Sequence, residues 1–210
     1  MLRFSASGEG DSEAEAHERS NEVSLIQSGA TVALGGPDNL RSFGVRSQLI
    51  VEAPEDAPTT VHGSFAPVEV RNMAGPVRVA AIRSRATILN TTGRVDACAP
   101  VIDYAGSEGN VILSAEWEIN LKFTSDSFRG SLIAWAQRPV RVLIPQTFRS
   151  AFRVLVSRPQ DCVCRTEFRE HLKQEREGGL LVFTFRGDGK SPPEAIELRS
   201  EHAQVVIDGF

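Results

Sequence analysis

Cysteine, tyrosine, tryptophan and lysine are all scarce in this sequence. Among 210 residues there are three cysteines, one tyrosine and two tryptophans, and only Lys122, Lys173 and Lys190 among 23 basic residues. Three cysteines cannot make a fully paired disulfide framework. Cys162 and Cys164 would share one strand face with Cα atoms ~6.5–7 Å apart, the outer limit for a bridge. Three free thiols in a reducing compartment is the simpler expectation. No apolar run approaches the ~18 residues of a membrane span. The first residues, Met1-Leu-Arg-Phe-Ser-Ala-Ser-Gly8, show no apolar signal core, so the expected location is cytoplasmic, with the cell surface reserved for a mis-assigned start. A net charge of −4 without a basic stripe argues against a nucleic-acid partner. The arginines read as a solvated strand face whose stems cover apolar surface.

What is abundant is short alternation punctuated by glycine. Val68-Glu-Val-Arg-Asn-Met-Ala-Gly75 and Ala86-Thr-Ile-Leu-Asn-Thr-Thr-Gly93 are two strand patterns, each ending in Asn-x-x-Gly, 18 residues apart. Each glycine opens another alternating run. A unit of strand, turn, strand and turn at this period winds a chain into a β-solenoid. Reference glycines at 75, 93, 109 and 130 give steps of 18, 16 and 21 residues, so the coil is irregular. Trp117, Ile119, Leu121 and Phe123 are expected on one strand face, with Glu116, Glu118, Asn120 and Lys122 on the other.

Before the coil, residues 1–21 read as a disordered acidic leader, with a short helix conceivable over Ser12–Arg19. Val23–Ile26 and Thr31–Leu34 read as a hairpin, Gly35–Asn39 as a turn, and Ser47–Glu52 as a strand. Residues 22–210 then form a single all-β domain, its coil core at about 60–145 and capping strands over 146–210. The charge-dense stretch 165–178, with Phe168 and Leu172 four apart, reads as a short surface helix in preference to a polar loop. Leu180–Phe185, Ala195–Ser200 and Gln204–Asp208 read as strands.

Leu49-Ile-Val-Glu-Ala-Pro54, Gly63, Val68–Val79 and Ile88–Val95 together resemble the bacterial adhesin-like domain family. The resemblance covers roughly residues 47–145 and rests on glycine spacing and alternation. It implies a right-handed, one-sided β-coil and supplies no catalytic residues.

Candidate chemistry is sparse. Leu180–Ser191 runs an apolar strand into Gly-Lys-Ser, but a phosphate loop needs glycine where Thr184 stands and a helix where Pro192-Pro193 follow. A β-turn is the better account. Asp161, Cys162, Cys164 and His171 lack the paired spacing of a structural zinc site, so no metal is expected. Glu116 and Glu118, ~7 Å apart on one strand face, have the separation of a general acid and base, yet exposed glutamates there read first as a solvated face. Histidines 17, 62, 171 and 202 are scattered, and no nucleophile or zincin motif occurs. Trp135 reads either as core beneath a second layer, the usual fate of large aromatics, or as an exposed contact.

The expected fold is therefore all-β: an irregular β-solenoid or β-roll with additional strands capping both ends. No cofactor, metal or catalytic residue is assigned. The expected role is a non-enzymatic scaffold or binding module contacting a protein or glycan, with Glu116, Glu118 and Trp135 as contact residues. The alternatives are a cytoplasmic solenoid that self-associates through its coil ends and, last, a carbohydrate-active enzyme.

Overall fold

The computed structural model describes residues 2–8, 14, 24–28, 31–35, 45–51, 53–64, 67–165, 172–185 and 195–210. The chain divides into two compact units, Met1–Pro54 and Glu55–Phe210. The expected helix over Ser12–Arg19, the turn at Gly35–Asn39, the Gly-Lys-Ser turn and His171 lie outside the described residues, wholly or in large part.

The first unit holds β1 (Leu2–Gly8), β2 (Ser24–Ser28), β3 (Thr31–Gly35) and β4 (Val45–Val51). β2 and β3 form the expected antiparallel hairpin. β1 pairs antiparallel with β4 from Leu2↔Val51 to Gly8↔Val45. Leu2–Gly8, which composition placed in the leader, is thus a strand. Its Leu-Arg-Phe-Ser-Ala-Ser alternation has the period of a strand, and the acidic residues after Gly8 mask it when the segment is averaged.

The second unit is all-β and contains a β-solenoid. In chain order its strands are β5 (Thr59–Ser64), β6 (Val68–Arg71), β7 (Val77–Ile82), β8 (Arg85–Leu89), β9 (Arg94–Gly106), β10 (Glu108–Phe123), β11 (Arg129–Ala136) and β12 (Val140–Ile144). There follow β13 (Phe152–Val156), β14 (Cys162–Cys164), β15 (Leu172–Glu177), β16 (Leu180–Phe185), β17 (Ile196–Ser200) and β18 (Val205–Gly209). β5, β7, β9, β10 and β11 stack in parallel on a first face. β6, β8, the second halves of β9 and β10, and β12 stack in parallel on a second. β9 and β10 run through both faces, so one sheet folds over on itself around a shared core.

Alternation explains that core. Inward residues pile up coil upon coil: Val77, Val95, Val111 and Leu132 in one column, and Ala86, Ile102, Ile119, Val140 and Val205 in another, all buried. Each fully buried aliphatic side chain contributes ~1.5–3 kcal/mol, and a solenoid coil has nowhere to place it except against the next coil. The first column advances by the same steps as the glycines. Asn72 and Asn90 take the left-handed conformation (φ 55° and 52°) at equivalent corners, and Asn90 Nδ2 donates to Asn72 Oδ1 at 3.4 Å. The Asn-x-x-Gly repeat is therefore a corner, asparagine turning the chain and glycine admitting the next coil.

A chain of rings closes the C-terminal half. Phe123 meets Phe128 edge-on at 5.5 Å and Phe148 at 4.9 Å, and Phe152 stacks on Phe185 at 4.8 Å. The strands after 146 are more than caps. β17 lies between β11 and β13, and β18 between β12 and β14, every pairing parallel. The C-terminus is thus a complete coil inserted between two earlier ones. β16 pairs antiparallel with β13, and β15 with β16 at the end of the first face. Leu172–Glu177 is accordingly a strand, where a helix was expected. The deciding residues are Gly178 and Gly179, whose φ values of 56° and 85° make the two-residue hairpin turn.

Tyr104 and Cys162 give this core a pH dependence. Burial, then the Glu108 charge, pushes the Tyr104 phenol well above its usual range. Burial, then Cys164, pushes the Cys162 thiol up to about 12. Both native values are raised, so stability is intact below the unfolded values of about 8.5 and 10 and declines as pH rises toward the native ones. Each group costs ~1.4 kcal/mol per pH unit in which only the unfolded chain ionises. The urea midpoint is expected to fall between pH 9 and 11, and Tyr104→Phe with Cys162→Ala to flatten that fall. A flat profile in the parent chain would refute it.

Candidate outer binding face

The outward side of each face is built by the same register as the core. On the first face Asp96, Ile112, Ile133 and Glu197 form one row, and Cys98, Ser114, Trp135 and Arg199 the next. Ile112 and Ile133 are 42% and 45% exposed in slots that alternation reserves for polar residues. Trp135 stands beside them, half-buried and outside the core cluster, so it belongs to this surface and not to an inner layer. The result is an apolar patch of Ile112, Ile133 and Trp135 edged by Asp96, Glu197 and Arg199.

The other two expected contact residues lie elsewhere. Between β9 and β10 the register shifts from Ala115↔Ala99 to Glu118↔Val101, leaving Glu116 and Trp117 as a bulge at the corner. The bulge puts Trp117 51% in solvent, not inward with Ile119, and takes Glu116 off the face that Glu118 occupies. Glu118 lies outward on the second face and is ion-paired to Arg141 of the next coil. The three residues therefore do not converge, and Glu116 and Glu118 do not make a facing carboxylate pair.

Glu118–Arg141 belongs to a series. Asp103 accepts from Arg85 at 2.7 Å and from Asn120 at 2.8 Å, and Arg78 approaches Asp96 at 3.8 Å. These arginines serve the carboxylates of neighbouring coils, each exposed pair contributing ~0–1 kcal/mol. They help hold register more than they add stability. Asp161 is buried and held by Arg158 at 3.0 Å, while Cys162 and Cys164 pack against the core. Among the described residues no group of three or more His, Cys, Asp or Glu could hold a metal, and no helix is long and apolar enough to cross a membrane.

Neither Ile112 nor Ile133 is among the expected contact residues, although alternation puts Ile133 on the strand face of Trp135. The available signal was an apolar residue between two others, in Val111-Ile-Leu113 and Leu132-Ile-Ala134, where alternation predicts a polar one. The fold makes this a β-solenoid protein with an apolar patch on one outer face. No family model, curated protein or solved structure matches the chain.

Proposed function

We propose that this protein is a non-enzymatic β-solenoid binding module, of the adhesin-like kind its sequence resembles, whose first outer face contacts a protein or glycan. The observation that carries this is the patch of Ile112, Ile133 and Trp135, neighbours on adjacent coils that are exposed or half-buried on the first outer face. Coil-to-coil pairing holds that surface rigid, so binding there orders little new chain. Trp135 supplies a broad ring at small entropic cost. The alternative, end-to-end assembly, is disfavoured by β15: this edge strand reads Leu-Lys-Gln-Glu-Arg-Glu, and charge on an edge discourages a further strand from pairing.

A glycan array probed with the parent chain and Trp135→Ala tests the reading, with light scattering on the same samples. The expected result is a single species near 22.9 kDa at all concentrations and ligands that the variant binds about tenfold more weakly, ~1.4 kcal/mol. Protein partners are scored by the same variant. Large concentration-dependent species would favour assembly instead, and identical profiles for the two chains would remove Trp135 from any contact.

A further inference from the structure

At the N-terminal end of the same outer face, two rows of side chains border a shallow open cleft of about 230 Å³. One row is Pro58, Pro76 and Arg94, each preceding a strand residue in the Thr59–Val77–Val95 column. The other is Thr60, Arg78 and Asp96, each following one. The volume is below the ~300–1,000 Å³ of sites that enclose a whole drug-sized ligand, so the cleft fits one unit of something longer.

Its chemistry is specific. Two guanidiniums face one carboxylate, which leaves a net positive charge. Arg78 stands 3.8 Å from Asp96, outside hydrogen-bonding range, and Arg94 has no ion pair among the described residues. This sets Arg94 apart from Arg85 and Arg141, which are engaged with carboxylates of other coils. A guanidinium with free donors matches the two oxygens of a carboxylate or sulfate. Asp96 retains acceptors for hydroxyl groups, and the Thr60 hydroxyl both donates and accepts. The two prolines are rigid apolar walls with no N–H to satisfy. An oxyanion beside hydroxyls on a compact apolar body is the description of an acidic sugar.

We propose that this cleft binds the charged unit of an acidic oligosaccharide, its oxyanion on Arg94 and Arg78 and its hydroxyls on Asp96 and Thr60. Coils repeat about every 4.8 Å along the axis, so a linear glycan extends from the cleft over Asn110 and Ser131, joined at 3.2 Å, toward the patch at Ile133. The inference rests on reading this face as a ligand surface and adds the ligand class.

The test is calorimetry on the full chain with four probes: an oligogalacturonate hexamer, a heparin hexasaccharide, maltohexaose and hexaglutamate. At least one acidic sugar is expected to bind tenfold or more tightly than maltohexaose and hexaglutamate, with comparison of the two separating carboxylate from sulfate. Arg94→Gln should weaken it about tenfold without altering the circular dichroism spectrum, since the side chain is exposed. Asp96→Asn is the decisive variant. It raises the net positive charge, so a merely electrostatic site would tighten, whereas loss of a hydroxyl acceptor should weaken the sugar severalfold. Equal binding of acidic and neutral sugars, equal binding of hexaglutamate, or a tighter Asp96→Asn would overturn the proposal. If neutral ligands bind through Trp135 while Arg94→Gln changes nothing, the outer-face reading stands and this one fails.

Discussion

Gly93→Ala is expected to lower the melting temperature of the solenoid by roughly ten degrees or to prevent its folding. A Cβ on Gly93 would stand 2.3 Å from the carbonyl oxygen of Ala74 and 2.4 Å from that of Gly75. Neither oxygen can swing aside cheaply, because Ala74 and Gly75 are themselves anchored: their N–H groups donate to the Glu55 carbonyl at 2.6 and 2.8 Å. Overpacking usually costs ~1–3 kcal/mol. Here the obstacle is main chain on a neighbouring coil, so about 3 kcal/mol or more is expected, against a total of ~5–15 for a domain. At ~2–4 °C per kcal/mol, that gives the stated fall. Gly178→Ala is the matched control. It has open space around it and a φ of 56°, so only the ~1–2 kcal/mol of left-handed strain applies. Thermal unfolding followed by circular dichroism decides the matter: a Gly93→Ala curve superimposing on that of Gly178→Ala would mean the coils do not approach as described.

The same glycines show why the coil was legible in the sequence. A Cβ on Gly75 would meet the Asp56 oxygen, one on Gly93 those of Ala74 and Gly75, and one on Gly130 that of Gly109. Each marks the corner where one turn passes another, so the steps of 18, 16 and 21 residues are the lengths of the turns themselves. Inward columns were legible for a related reason: where both faces of a coil share one core, period-two alternation has a single solution. The outer face was less so. Exposure of Ile112 and Ile133 follows from alternation in a known register, but the Trp117 bulge arises from one extra residue on β10 relative to β9, and nothing within β10 announces it. Trp135 shows the remaining limit, because an aromatic in an outward slot is buried only if a further layer covers it, and pattern alone does not say whether one exists. Gly178-Gly179 carried a hairpin signal that the charge density of its surroundings obscured.

The order of coils in space was beyond local pattern, and it carries the largest expected effect. Truncation after Glu194 should leave the second unit unable to reach a native state. If β17 and β18 merely capped the stack, their loss would expose one end and cost a little stability. They are instead interior, bonded on both sides by strands distant in sequence. Ile196, Leu198, Val205 and Ile207 are all buried, and at ~1.5–3 kcal/mol each their loss matches the whole stability of an ordinary domain. Removing them also strands β13 and β14 without the parallel neighbours that seat them. Continuous winding from β5 to β12 needs only near neighbours, so those coils can form first, and the C-terminal coil must then insert beside β11 and β12 as the slow, non-local step. The truncated chain is expected in inclusion bodies, or soluble with retained far-ultraviolet signal, lost near-ultraviolet signal and dye binding. Leu198→Asp in the full chain separates burial from chain length, because it keeps every backbone partner and places an unpaired charge in the buried row between Ala134 and Val154, with unfolding again expected. A truncated protein with native dispersion in its amide spectrum would show that the inserted coil is dispensable, and would return the C-terminal strands to the role of a cap.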